Sequence, residues 1–269
     1  VEILKGRGHY FVNPEPGPLA CGMEGEGRLA SVDVIVARIV EALRTGESLA
    51  GMRVLVTAGP TVEDIDPVRF LSNRSSSKMG YAVAQAARQR GAEVFLVSGP
   101  TALKAPSGVR FVPVRSAAQM KDAVLQFYPS ADIVVKAAAV ADYRPVEAAP
   151  QKIKKNDNSL TLQLERTEDI LAILGRQKKG QVLVGFAAET ERLLDHAREK
   201  MARKNLDLLV ANDVSAGVFG SDRSTVHILE AGGVIETLTD RSKMEIAGKL
   251  LDHAMSVRKR STAAAQSGE

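Results

Sequence analysis

The 269-residue chain has little of what several function classes require. Cys21 is its one cysteine and tryptophan is absent. An intramolecular disulfide and a Cys-cluster zinc site are therefore excluded. Aromatic residues make up 4% of the chain, too few for a base-stacking platform. The net charge is only +4 and comes without a basic stripe, so nucleic acid is not an expected partner; small phosphates are. No apolar run approaches the ~18 residues of a membrane span. No charged-then-apolar leader opens at Val1, which points to the cytoplasm. The first residue is not Met, which predicts a fragment of a longer protein. The histidines His9, His196, His227 and His253 have no ligand spacing and read as surface or structural. A P-loop and a G-x-G-x-x-G fingerprint are both missing. So is a Tyr-x-x-x-Lys pair: four residues after Tyr10, Tyr81, Tyr128 and Tyr143 stand Pro14, Gln85, Asp132 and Glu147.

What is present suits an ordinary folded domain. Apolar residues are 45% and charged residues 25%, enough for a sizeable core. Residues 1–28 are Gly/Pro-rich and read as loop. Residues 30–44 read as a helix with Val34, Ile35, Ile39, Val40 and Leu43 on one face, ending near Gly46. Beyond about residue 50, short apolar runs alternate with helical periods. Strands are predicted over 53–58, 93–98, 110–114, 132–136, 181–186 and 207–211. Helices are predicted over 78–90, 117–128, 168–176, 191–204 and 243–258. Runs such as Val54-Leu55-Val56 and Ile133-Val134-Val135 are apolar on both faces, as strands of a covered parallel sheet are. Segments 224–230 and 234–239, around Gly232-Gly233, read as a late antiparallel hairpin. The expected fold is α/β: a Rossmann-like, mostly parallel sheet with helices on both faces. The expected division is 1–48 as an appendage with a linker helix, 49–258 as a nucleotide-binding domain, and 259–269 as a disordered tail.

Two stretches carry chemistry. Val56-Thr57-Ala58-Gly59-Pro60-Thr61 is a strand entering a glycine turn, where α/β sheets bind ligands and Gly59 admits a phosphate. Asp66-Pro67-Val68-Arg69-Phe70-Leu71-Ser72-Asn73-Arg74-Ser75-Ser76-Ser77-Lys78 is a hydroxyl-rich, cationic loop entering a helix, the makings of an anion site. Arg69 can grip a carboxylate or phosphate through two parallel hydrogen bonds. Asn73 can hydrogen-bond a carbonyl or an oxyanion.

With these stand Ala137-Ala138-Ala139-Val140-Ala141-Asp142-Tyr143, Lys152-Ile153-Lys154-Lys155, Val184-Gly185-Phe186-Ala187-Ala188-Glu189-Thr190 and Arg203-Lys204-Asn205-Leu206-Asp207. Taken in order over residues 51–258, these motifs resemble the phosphopantothenate–cysteine ligase family. The resemblance implies CTP-dependent joining of 4′-phosphopantothenate to cysteine in coenzyme A biosynthesis, through an acyl-cytidylate, with Mg2+. It implies Asn73, Arg69 and Lys152 as catalytic residues. It implies a nucleotide site of Gly59, Ala137, Ala138, Asp142, Lys152, Glu168, Asp169, Ile170, Leu171, Phe186, Lys200 and Lys204, with the metal ligands open. It also implies a homodimer. Ser77 departs from the family, which usually has Gly there. If that position takes positive φ, Ser77 costs roughly 1 kcal/mol.

The segment Leu19-Ala20-Cys21-Gly22-Met23-Glu24-Gly25-Glu26-Gly27-Arg28 resembles the clamp motif of a flavin (FMN) decarboxylase that commonly precedes the ligase. Cys21 would be the proton donor only in that intact domain. Two alternatives stay open on the residues alone: an NAD(P)-dependent oxidoreductase and a non-catalytic nucleotide-binding module.

Overall fold

A computed structural model describes residues 1–6, 9–18, 24–45, 48–154, 159–189, 193–213 and 221–266. Cys21, Lys155 and Thr190 lie outside the described residues. The main sheet has eight strands: β1 (Arg53–Ala58), β2 (Glu93–Ser98), β3 (Arg110–Pro113), β4 (Ile133–Lys136), β5 (Val182–Glu189), β6 (Leu208–Asp213), β7 (Arg223–Glu230) and β8 (Gly233–Ser242). Their spatial order is β3-β2-β1-β4-β5-β6-β7-β8. The first six run parallel; β7 returns antiparallel to β6, and β8 pairs antiparallel with β7. The parallel part has the doubly wound order in which ligands gather at the carboxyl ends near the switch between β1 and β4.

The strands form where both faces are apolar. Val54, Val56, Val94, Leu96, Ile133, Val135, Val184 and Val210 point to one side. There they pack on helices α1 (Lys78–Gln89) and α5 (Lys243–Gln266), which supply Val83, Ala87, Ile246 and Leu250. Leu55, Phe95, Val97, Val134, Leu183 and Leu209 point to the other side. They meet α2 (Ala117–Phe127), α3 (Ile170–Gln177) and α4 (Leu193–Lys204) through Met120, Val124, Leu174, Ala197 and Met201. The alternation of side chains along each strand thus builds two cores from one sheet.

Three sequence expectations need correction. Residues 1–28 are not all loop: Glu2–Gly6 is helical and Glu15–Pro18 pairs antiparallel with Glu24–Arg28. That ribbon alternates Glu with Gly and Pro, so it has no apolar period to read. Two short ribbons were also hidden, Val62–Asp64 with Phe70–Ser72 and Tyr143–Pro145 with Leu164–Arg166; three residues are too few to show a period. The last helix does not stop at Arg258 but continues to Gln266. Ser261 and Thr262 donate their hydroxyls to the carbonyls of Val257 and Arg258, one turn back, and alanines follow, the best helix formers. Among the described residues no helix is long and apolar enough to cross a membrane.

Candidate active site

The backbone after β4 is the floor of the site, and hydroxyl groups fix it. Thr57 and Thr61 are fully buried. The Thr57 hydroxyl accepts from the Ala138 N–H at 3.2 Å, and the Thr61 hydroxyl accepts from the Ala141 N–H at 2.9 Å. Thr167 closes the far side, its hydroxyl donating to the Ala141 carbonyl at 2.5 Å and its N–H to the Asp142 carbonyl at 3.0 Å. The threonines of the first glycine turn therefore hold segment 137–142 in place. Gly59 has φ 78°, and a Cβ there would lie 2.8 Å from the Gly99 carbonyl oxygen. Its freedom serves a close chain crossing, and it lies outside the main cavity. Gly80 lets α1 settle onto β1, where a Cβ would lie 2.6 Å from that of Ala58.

Above this floor lies a cavity of about 720 Å³. Of the residues singled out by sequence, Ala138, Asp142, Glu168, Asp169, Ile170, Leu171, Phe186, Lys200 and Lys204 all line it. Asp169 is the N-cap of α3, its carboxylate accepting from the Ala172 N–H at 2.9 Å, and it also pairs with the Lys204 ammonium. Burial lowers the Lys204 amine, with Asp142 opposing. Lys200 donates to the Phe186 carbonyl at 2.7 Å. Glu168 pairs with Lys121 from α2, which raises the Lys121 amine.

The expected catalytic residues sit differently. Asn73 touches the rim, donating from Nδ2 to the Val140 carbonyl at 2.9 Å. Arg69 is not an open grip. Its Nε and Nη2 bind Asp66 at 2.9 and 2.6 Å, and Nη2 also donates to the Ile153 carbonyl at 2.9 Å. Burial alone would raise the Asp66 carboxyl. Hydrogen bonds from Arg69 and from the N–H groups of Val68, Arg69 and Ile153 hold it well below the usual carboxylate range. Asp66 and Arg69 together clasp the segment that carries Lys152. Lys152 itself is exposed and does not line the cavity, and Ala137 is half-buried beside it.

Ser77 caps α1 with φ 62° and its Oγ is buried without a hydrogen-bond partner. The position does take positive φ, the condition under which serine in place of glycine is strained.

Several lining residues were missed: Lys136, Tyr143, Arg166, Thr167, Glu199 and Arg203. His196, read as surface or structural, is exposed and lines the cavity too. Lys136 carried a signal, a charge ending the apolar run Ile133-Val134-Val135. Arg203 lies three residues beyond Lys200, on the same helix face. Among the described residues no group of three acidic, His or Cys side chains is arranged to hold a metal ion.

A doubly wound α/β domain with a polar, cation-rich cavity at its strand ends has the architecture in which open α/β sheets carry their ligand sites. Residues 49–257 match the DNA/pantothenate metabolism flavoprotein C-terminal domain, and the chain belongs to that family. It is 48% identical over 265 residues to the coenzyme A biosynthesis bifunctional protein CoaBC of Bacillus subtilis, covering 96% of this chain and 65% of that protein. The chain thus spans just under two thirds of that relative. The crystal structure of the C-terminal domain of a CoaBC superposes with a TM-score of 0.69 at 44% identity, over 79% of this chain and 99% of that one. A Cab2 mutant in complex with phosphopantothenate-cysteine, 16% identical, shares the fold with a TM-score of 0.65, over 85% of this chain and 91% of that one.

Proposed function

We propose that this chain is a CTP-dependent phosphopantothenate–cysteine ligase of coenzyme A biosynthesis. One observation carries the reading: Ala138, Val140 and Asp142, the start of α3, Phe186, and Lys200 and Lys204, far apart in sequence, converge on one cavity at the carboxyl ends of β4 and β5. In the proposed reaction the 4′-phosphopantothenate carboxylate attacks the α-phosphate of CTP and pyrophosphate leaves. The cysteine amine then attacks the acyl-cytidylate carbonyl, CMP leaves, and the amine loses its proton.

The chain's contribution is placement and charge. The threonine-held floor presents the Ala138 and Asp142 backbone to the nucleotide. Lys200 and Lys204 reach the nucleotide, and Arg203 opposes its negative charge. Asn73, bonded to that floor, would hold the acyl carbonyl. The Asp66–Arg69 clasp fixes the segment that carries Lys152, the residue that would neutralise phosphate charge. Mg2+ would enter on the triphosphate, where it neutralises phosphate charge. Of the cavity's carboxylates, Glu168 and Asp169 are paired with lysines, which leaves Asp142 and Glu199 to meet a nucleotide-borne ion. The reading brings with it a cytoplasmic homodimer and, in a longer parent, an FMN decarboxylase domain ahead of residue 49.

The test is pyrophosphate release with 4′-phosphopantothenate, CTP and Mg2+, with and without cysteine, followed by mass spectrometry. An acyl-cytidylate that cysteine consumes is expected. A folded sample that releases no pyrophosphate with any nucleoside triphosphate leaves only a binding module.

A further inference from the structure

Lys136 ends β4 at the bottom of the cavity. Its side chain is 9% exposed and lines the cavity wall. Among the described residues its ammonium has no hydrogen-bond or ion-pair partner. Every other cavity lysine has one: Lys200 holds the Phe186 carbonyl and Lys204 holds Asp169. A cation drawn largely out of bulk water and facing a cavity without a protein partner is costly, and a fold retains one most simply where a ligand completes it. Burial and the nearby Lys200 charge push the amine down to about 7, against the pull of Asp142.

The surroundings say which part of a ligand reaches that depth. The half-buried Phe186 ring, Ala138, Ile170 and Leu171 give apolar, ring-sized walls. Asp169 caps the nearest helix start, which disfavours a phosphate there. The exposed cations Arg166 and Arg203 stand on the rim, where phosphates keep their contact with water. The base therefore goes down and the phosphates stay out.

We propose that Lys136 is a specificity-determining residue of the nucleotide pocket, its Nζ donating from the floor to the acceptor edge of a pyrimidine base. Cytosine offers O2 and N3 side by side as acceptors, whereas uracil has a donor at N3. In its charged form the Lys136 ammonium only donates, and two adjacent acceptors draw that form out, which favours the first arrangement. The inference rests on the nucleotide reading above and adds to it the group that reads the base.

The experiment is equilibrium binding by calorimetry of CTP, UTP and inorganic tripolyphosphate to the whole chain, as wild type, Lys136→Met and Lys136→Gln. Thermal melts confirm that each variant is folded. Methionine keeps the length and removes the charge, and glutamine restores a donor. The expected result is a loss of CTP affinity of about tenfold or more in Lys136→Met. The CTP/UTP ratio falls with it, tripolyphosphate binding stays within about twofold, and Lys136→Gln recovers part of the loss. If Lys136→Met binds CTP as wild type does, or loses CTP and tripolyphosphate in parallel, the base-reading role is overturned while the nucleotide site stands. Wild type that binds tripolyphosphate but neither nucleotide overturns the nucleotide reading, and this proposal with it.

Discussion

At Ser77 the chain enters α1 with φ 62°, and the hydroxyl is buried without a partner. Both features cost stability: a left-handed conformation costs a non-glycine residue roughly 1 kcal/mol, and an unsatisfied buried hydroxyl roughly 1–3 kcal/mol. Ser77→Gly removes both and Ser77→Ala only the second. Urea midpoints should rank Gly above Ala above Ser, with glycine gaining about 1–2 kcal/mol; a glycine variant no more stable than wild type would contradict the strain. Lys136 makes a pH-dependent prediction. Unfolded, its amine titrates near ~10.4; folded, at about 7. Between those values the unfolded chain binds more protons, so stability rises with pH across that window. Lys136→Met lacks that rise. It should exceed wild type by on the order of 4 kcal/mol near pH 7, with the gap closing toward pH 10. A gap that stays constant from pH 7 to pH 10 would remove Lys136 as its source. Ser77 was legible because the loop could be set beside a family pattern. Lys136 was not, because a lysine ending an apolar strand reads as a solvated strand end until the cavity above it is seen.

The loop after β4 depends on hydroxyls that come from other elements. Thr61 accepts from Ala141, Thr57 from Ala138, and Thr167 donates to Ala141. Thr61→Val keeps the volume and removes the acceptor, stranding the buried Ala141 N–H. The expected cost is about 1–3 kcal/mol. The nucleotide KM should rise more than kcat falls, because the floor is misplaced while the reacting groups are retained. Steady-state kinetics at varied CTP would show it, and an unchanged KM would mean that the loop holds its shape without Thr61. Strand and helix ends were largely legible, because Val-rich runs and helical periods state them directly. The bolts between elements were not, since a motif names a threonine without naming its partner. Arg69 shows the same limit. Its fork suggested a ligand grip, but Asp66, three residues earlier in the same loop, occupies it.

The whole sheet has two edges, and they are protected unequally. At one edge β3 is short, opens with Arg110 and closes with Pro113, which discourages further pairing. At the other, β8 runs for ten residues and exposes Val234 and Ile235 at its start. Of its charged residues, Glu236 is taken up by Lys249 and His253 of α5, and Asp240 and Arg241 stand toward its end. An edge of that length with an apolar start is a template for another strand, and a two-fold axis would set β8 antiparallel to its copy. The order of strands placed the cavity at one end of the sheet before any side chain was considered, but it could not say which helices would wall it. That α3 and α4, on the face opposite α1, do so became visible only in three dimensions. The same holds for the exposed edge, since a hairpin read from sequence does not disclose that nothing in the chain pairs with its outer strand among the described residues. Sedimentation should therefore give twice the 28.8 kDa of one chain, and Ile235→Lys should shift the sample to monomer with its fold intact by circular dichroism. A dimer that survives Ile235→Lys would place the interface elsewhere, and a monomeric wild type would mean that the charged end of β8 is enough to guard the edge.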